Sequence, residues 1–411
     1  MPLLVIIGYV WPEPNSSAAG SRMLSLLQLF QQQGWQVIFA SAAEKSPHRF
    51  ALESIGVTEQ SIALNDSRFD QWIAELQPAA VLFDRFMLEE QFGWRVAEAC
   101  PEALRLLDME DVHALRHARH DAVKQQRPLQ LADLNNELAM REVAAIYRCD
   151  LTLVISEYEL QLLQQHYQLP ANLLAYCPFW QTEPVASAPG FAERHHFISI
   201  GNFRHAPNWD AVLWLKQQLW PQIRAQLPQA ELHIYGAYPP PKATALHNAR
   251  EGFLVKGWVD NAEQVMRQAR VCLAPLRFGA GLKGKLLQAM QCGTPSVTTP
   301  IGAEGMTIDS GWAGQIAQTS SEQAAAACQL YQDAAAWQSA QQQGYHILAT
   351  RFASDQAQYF WQRLQPLLIE TALTRAERRA SNFTGQMLQS HAYRSTRYMG
   401  QWIEAKNRKM P

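Results

Sequence analysis

The residues of this sequence best suited to hold an anion are gathered in one short stretch, RFGAGLKGKLLQAMQCGTP, residues 277–295. Lys283 and Lys285 stand among Gly279, Gly281 and Gly284, just ahead of an apolar run with helical spacing. Glycines let a turn expose its backbone N–H groups, a helix N-terminus favours negative charge, and lysine adds charge-assisted hydrogen bonds. The stretch therefore predicts a phosphate loop. Its letters fit two nucleotide fingerprints: Gly279, Gly281 and Gly284 spell the G-x-G-x-x-G of a dinucleotide site, and Gly279 to Lys285 the G-x-x-x-x-G-K of a P-loop. Neither suits its setting. A P-loop needs Ser or Thr after the lysine to hold magnesium, and Leu286 stands there. The dinucleotide fingerprint wants an acid about 20 residues on, but the strand PSVTTP ends without one and Glu304 lies in the Gly-rich loop beyond it. A third kind of phosphate loop remains, with a purely structural turn as its alternative.

Such a loop must be positioned by strands and helices, and the chain alternates them. At 411 residues, with 48% apolar and 18% charged residues, it predicts a packed globular protein of two domains. LLVIIGYV (3–10), WQVIFAS, AAVLFD (79–84), ALRLLD (103–108) and DLTLVIS (150–156) read as strands separated by helical segments. They make an N-terminal Rossmann-like domain over residues 1–180. QTEPVASAPGFAE (181–193) reads as a linker. A second series follows, with HFISIG (196–201), a helix from about Asp210, AELHIYG (230–236), FLVKGWV, VCLAPL (271–276), the helix KLLQAMQCG and PSVTTP. It makes a second Rossmann-like domain over 194–354. The fold class is α/β, two doubly wound sheets whose switch-point crevices face each other across a ligand cleft.

Composition excludes several function classes. A formal charge of −2 gives no whole-chain attraction to nucleic acid or to an anionic membrane. Cys100, Cys149, Cys177, Cys272, Cys292 and Cys328 have neither C-x-x-C spacing nor a nearby His, so they read as buried thiols of a reducing, cytoplasmic compartment. LLVIIGYV is too short and lacks the basic flank of a signal peptide, and no stretch reaches a membrane span. Residues 355–411 read as a C-terminal helical segment, kinked at Pro366, with Tyr359, Phe360, Leu364, Leu367 and Leu368 on one side, followed by a basic tail. Over 370–411, eight cations (Arg375, Arg378, Arg379, Arg394, Arg397, Lys406, Arg408, Lys409) face three acids (Glu370, Glu377, Glu404) and mix with Phe383, Tyr393, Tyr398 and Trp402. A solvated tail and a peripheral contact with anionic lipid at the inner face of the plasma membrane both fit.

LAPLRFGAGLKGKLLQAMQCGTPSVTTPIGAEGM (273–306) resembles the donor-sugar motif of family 4 glycosyltransferases, retaining enzymes of GT-B fold, and within them a branch reading P-L-R-x-G-x-G-x-R-x-K-x-x-E-A-M-A. IGNFRHAPNWDAVLWLKQQLWPQI (200–223) is similar to the branch's P-N-x-D-A-V segment. DMEDVHALRHAR (108–119) is similar to its D-x-x-D-V-H-x-L-R, and ISEYELQLL (155–163) to its S-x-x-E. The resemblance runs in order over about residues 1–365.

It implies a nucleotide diphosphosugar donor held mainly on the second domain, a glycan or lipid-linked acceptor, no nucleic acid, no cofactor and no metal; DME at 108–110 only weakly imitates a D-x-D pair. Lys283, Lys285 and the N–H groups around Gly281 would neutralise the diphosphate, with Arg204 and Glu304 on the same side. Gly20, in PEPNSSAAGSR, would let the first domain approach the phosphates, with Arg22 either adding charge or lying on the surface. His113, flanked by Asp111 and Arg116, would orient the transferred sugar. The face carrying Arg116, Arg119 and Lys124 reads as solvated or as a contact for an anionic acceptor. The first Glu of the wider family's pair falls at Ala280, which this branch commonly lacks; more telling is Gln288, where the branch has the Glu that holds the nucleotide ribose. That departure keeps open a non-catalytic nucleotide-sugar-binding or interaction protein.

Overall fold

The computed structural model describes residues 1–180, 184 and 187–408. Part of the expected linker, Lys409 and the side chains of Tyr393 and Arg408 lie outside the described residues.

The apolar runs form two wholly parallel sheets. The first contains β1 (Leu3–Gly8), β2 (Gln36–Ser41), β3 (Thr58–Ser61), β4 (Ala80–Asp84), β5 (Leu104–Asp108), β6 (Leu151–Val154) and β7 (Leu174–Tyr176), in the order β3-β2-β1-β4-β5-β6-β7. The second contains β8 (His195–Ile200), β9 (Leu232–Tyr235), β10 (Phe253–Gly257), β11 (Ala269–Ala274), β12 (Ser296–Thr298) and β13 (Gly314–Ile316), in the order β10-β9-β8-β11-β12-β13. Helices cover both faces, so β4 and β5 are buried at every residue. The order reverses between β1 and β4 and between β8 and β11, and a crevice opens there beyond the carboxyl ends of the strands. The two crevices meet: a Cβ added to Gly284 of the second domain would lie 2.2 Å from Cβ of Ala18 in the first.

Two segments differ from the sequence expectation. The helix expected from Asp210 begins at Ala206, with Pro207 in its first turn, where no N–H is needed. It continues through a π turn at Leu215–Leu219 to Gln226; Pro221, which cannot donate, stands just after that turn. The C-terminal segment is three helices rather than one kinked helix. Helix Gln356–Leu368 holds Pro366 in its last turn, Thr371 caps Ala372–Ser381, and Phe383–Arg408 follows. Phe360 and Leu364 are buried in the first domain's core, whereas Tyr359 faces solvent, against the expectation.

These helices return to the first domain, and most of the described cations of the basic tail are engaged there. Asp150, almost wholly buried, accepts from Arg378 (3.0 Å), from Arg379 (2.9 and 2.6 Å) and from the Arg105 N–H (2.9 Å). Burial alone would raise its pKa, but Arg379, Arg105 and Arg378 hold it well below the usual carboxylate range. Arg375 donates to the Glu102 carbonyl, and Arg397 meets Glu98 at 2.5 Å. A freely solvated tail does not describe these residues.

Candidate active site

The second domain's wall is built around Lys285. It sits in the first turn of helix Gly284–Gln291, directly after the loop that follows β11. Its Nζ donates to Asn208 Oδ1 at 2.7 Å and lies against Gly201, where an added Cβ would approach Nζ to 2.8 Å. Asn208 is fixed in turn by donating to the Asn202 carbonyl at 2.9 Å. The residue after β8 is therefore a glycine because the Asn208 amide and the lysine head group occupy the space of a side chain. Burial pushes the Lys285 pKa down to about 8, so the site holds a cation that an incoming anion would recharge and stabilise. Gln288 is half-buried three residues on, on the same helix face. Arg204 is exposed, its guanidinium 3.6 Å from the centre of the Tyr238 ring, while the Tyr238 hydroxyl donates to Glu13 of the first domain at 2.9 Å.

The first domain's wall is the segment between β5 and helix His113–Lys124. The start of that helix has no capping side chain of its own. Two buried carboxylates from other helices satisfy its N–H groups: Glu142 accepts from His113 and Ala114 at 2.8 Å each, and Glu159 accepts from Val112 at 3.0 Å. His113 is thereby fixed, with Nε2 3.4 Å from Asp111 Oδ1 and its ring edge-on to Phe86. Burial, reinforced by Arg116, Arg85 and Arg141 against the pull of Asp111, lowers its pKa to about 4. At neutral pH His113 is a neutral imidazole, suited to hydrogen-bonding a hydroxyl rather than to carrying charge. Burial acts to raise Asp111, but Arg116, His113 and His205 together hold it well below the usual range. His205, at the end of the β8 loop, is pushed down to about 4 by its crowded surroundings and then by Arg116, Lys285 and Arg85. The two walls stand opposite each other where Gly281 of the second domain packs on Asp111 of the first.

The walls also bond directly. Glu159 Oε1 accepts from Gly281 N at 2.7 Å as well as from Val112 N, so one carboxylate joins both domains. Its Oε2 is buried and has no hydrogen-bond partner among the described residues. Burial, then Asp111, raises the Glu159 pKa to about 7. The Gly281 N–H expected to face a phosphate is therefore occupied by a carboxylate. Gly281 itself has φ 63°, and an added Cβ would lie 2.9 Å from Cβ of Asp111. Arg119 is buried: it donates to Gly279 O at 2.8 Å and forks onto Glu304 at 2.8 and 2.6 Å. This corrects the reading of Arg119 as a solvated or acceptor-facing residue, since it ties helix His113–Lys124 to the phosphate loop. Glu304 is held in that pair. Lys283 is buried and folds back to donate to Gly281 O at 2.6 Å. Burial, with Arg119 nearby, depresses its pKa to about 8, against the pull of Glu304, Glu159 and Asp111. The loop thus brings Lys285 to the crevice and uses Lys283 to brace its own turn.

The structure gives two first-domain residues packing roles. A Cβ on Gly20 would lie 2.4 to 2.7 Å from the Glu13 backbone, so the packing of that loop accounts for the glycine. Arg22 is neither on the surface nor in the crevice. It is fully buried, donating to Asp108 at 3.0 to 3.3 Å and to the Cys177 carbonyl at 2.6 Å, and so braces the end of β5.

The structure adds residues that the sequence reading did not single out. Arg85 (φ 75°, ψ 156°) and Glu110 (φ 61°) hold backbone conformations that non-glycine residues rarely adopt, at the ends of β4 and β5. The Arg85 guanidinium lies 5.0 Å from the exposed Tyr9 ring, with its Nε 3.7 Å from Asp84. Burial, then Asp108, raises Glu110 to about 8, which leaves its carboxyl mostly protonated at neutral pH and able to donate a hydrogen bond. Among the described residues, no group of three or more His, Cys, Asp and Glu side chains could hold a metal ion.

Comparison with known proteins fits this geometry. Residues 194–333 match the family model described as glycosyl transferases group 1. Sucrose-phosphate synthase from Thermosynechococcus elongatus superposes over 89% of this chain and 99% of its own, at TM-score 0.65 and 17% identity. HepE from Anabaena, solved with UDP and glucose, covers 89% and 99% at TM-score 0.64 and 13% identity. The pneumococcal O-GlcNAc transferase GtfA, solved with UDP and GlcNAc, covers 90% and 99% at TM-score 0.64 and 13% identity. A search of curated proteins found no match. The fold is GT-B, and within it residues 194–333 form a domain similar to the group 1 glycosyl transferases.

Proposed function

We propose that this protein is a retaining, metal-independent enzyme that moves a sugar from a nucleotide diphosphosugar to a glycan or lipid-linked acceptor on the cytoplasmic side of a membrane. The observation that carries the reading is Lys285, presented at the β8/β11 switch point with its Nζ 2.7 Å from Asn208 Oδ1, on the helix whose preceding loop packs Gly281 against Asp111 of the first domain. A leaving nucleoside diphosphate gains negative charge as the glycosidic bond breaks, and a preorganised cation at a helix N-terminus stabilises that charge more than it stabilises the intact donor. Arg204 lies on the same wall, so with Lys285 the positive charge that a metal supplies elsewhere is available from side chains. His113, neutral and fixed through Glu142, would hydrogen-bond a hydroxyl of the transferred sugar and orient its reacting carbon. Solved structures of similar fold hold UDP, which supports the nucleotide part of the reading.

The test is calorimetric titration of the full chain with UDP, GDP, dTDP and ADP and several of their sugars, with and without magnesium. Micromolar binding of one nucleotide, unchanged by magnesium, is the expected result. Silence across the panel would favour the second reading, a binding or interaction protein with a decayed donor site, for which Gln288 is the specific observation. Gln288→Glu separates the two. An amide in place of a carboxylate forgoes a charge-assisted bond to the ribose, on the order of 1 kcal/mol. The substitution should therefore tighten donor binding several-fold in a working enzyme, whereas binding that appears only in the variant marks a decayed site.

A further inference from the structure

The last helix, Phe383–Arg408, has two unlike faces. Its inner face lies on helices Phe86–Ala99 and Glu137–Arg148 of the first domain. Gly385 packs so tightly there that an added Cβ would lie 2.3 Å from the Tyr147 carbonyl, Gly400 is buried, and Glu404 accepts from Ser67 Oγ at 2.6 Å. Its outer face is apolar and aromatic: Phe383, Met387, Tyr398 and Trp402 are 74%, 46%, 66% and 60% exposed. Spacings of four and eleven residues keep these side chains on one side of a helix. Exposed Arg394 and Lys406 lie among them, with the Lys406 ammonium 5.3 Å from the Trp402 ring. The helix has a single acid, Glu404, and that one is turned inward.

We propose that this outer face lies on an anionic lipid surface, with Trp402 and Tyr398 at headgroup depth, Phe383 and Met387 against the acyl boundary, and Arg394 and Lys406 on lipid phosphates. Charge decides between this partner and a second copy of the chain. A two-fold contact through the same face would set its cations against each other with no carboxylate of the helix to pair them. A bilayer surface satisfies both the aromatic rings, which prefer the water–lipid boundary, and the cations. Among the described residues no helix is long and apolar enough to cross a membrane, so the helix would lie in the interface plane. The proposal rests on the lipid-side acceptor of the proposed function and is independent of the donor site.

The test is co-sedimentation of the full chain with vesicles of phosphatidylcholine alone or mixed with phosphatidylglycerol, at low and high salt. The protein should bind the mixed vesicles, release them in salt, and ignore phosphatidylcholine. Arg394→Gln with Lys406→Gln leaves the inner face untouched and should weaken binding about 30-fold, two cations near an anionic surface being worth about 1 kcal/mol each. Tyr398→Ser with Trp402→Ser should weaken it at low salt, with nucleotide titration unchanged. Equal binding by wild type and both variants, or none to anionic vesicles, overturns the proposal. So does sedimentation velocity showing a wild-type dimer that the serine variant dissolves without any effect of lipid. Vesicle binding that persists in a chain unable to bind any nucleotide would instead remove the donor reading alone.

Discussion

Lys285→Ala should lower donor turnover by about 100- to 1,000-fold, the range seen when one preorganised group facing developing negative charge is removed. The loss should fall mainly on the catalytic rate, because the lysine meets more charge in the transition state than in the bound donor. The substitution also frees Asn208 Oδ1 and opens space beside Gly201 without exposing a buried charge, so the fold should survive. The same residue sets a pH dependence. With a pKa of about 8 in the free protein, Lys285 is charged below that pH and neutral above it. Diphosphate affinity should therefore fall as pH rises past about 8, and binding near that pH should take up a proton, visible in calorimetry as a dependence on buffer ionisation enthalpy. Folding stability moves the other way. The unfolded chain holds this proton more tightly, so Lys285 makes stability rise with pH between about 8 and its ordinary value. Unchanged turnover in Lys285→Ala would remove the loop from the mechanism.

Arg119→Ala should loosen the closed arrangement of the domains. The guanidinium forks onto Glu304 and donates to the Gly279 carbonyl, and both charged side chains are about nine-tenths buried. Removing one partner of such a pair leaves a carboxylate without its counter-charge, a cost of about 3 kcal/mol when slight exposure is allowed for. Referred to domain closure, that is about a 150-fold shift toward an open cleft. Small-angle scattering should report a larger radius of gyration, and the donor KM should rise more than kcat falls. Arg119→Leu with Glu304→Leu, which removes both charges and keeps apolar bulk, should recover much of the closed population. If the single variant scatters like the wild type and melts at the same temperature, Arg119 does not govern closure.

The legible part of this protein is what repeats or clusters along the chain. Largely apolar runs mark β1, β4, β5 and β11, because strands covered on both faces need them. Edge strands leave no such mark. β3, with the sequence TEQS, pairs only with β2 and has no apolar residue to bury, so backbone hydrogen bonds make it a strand. Lys285 is legible through its glycines, and His113 and Asp111 through a resemblance. Glu159 and Arg119 are quoted in matched motifs, but their partners Gly281 and Glu304 are 122 and 185 residues away, a pairing that no local pattern encodes. Arg22 shows the opposite failure. An arginine beside a glycine-containing loop reads as surface or phosphate chemistry, and only the position of Asp108, 86 residues on, makes it a buried brace. The strain at Arg85 and Glu110 is invisible in letters, since residue type alone carries no φ.

The return of the C-terminal helices to the first domain bears on how the chain is made. Residues 1–180 leave the ribosome long before Phe360, Leu364, Arg378 and Arg379 exist to cover their core and neutralise Asp150. Until then a newly made first domain carries an uncovered apolar face and a buried carboxylate lacking two of its counter-ions. That half-finished domain is the natural client for a chaperone, and a chain cut short after the second domain would stay in that condition.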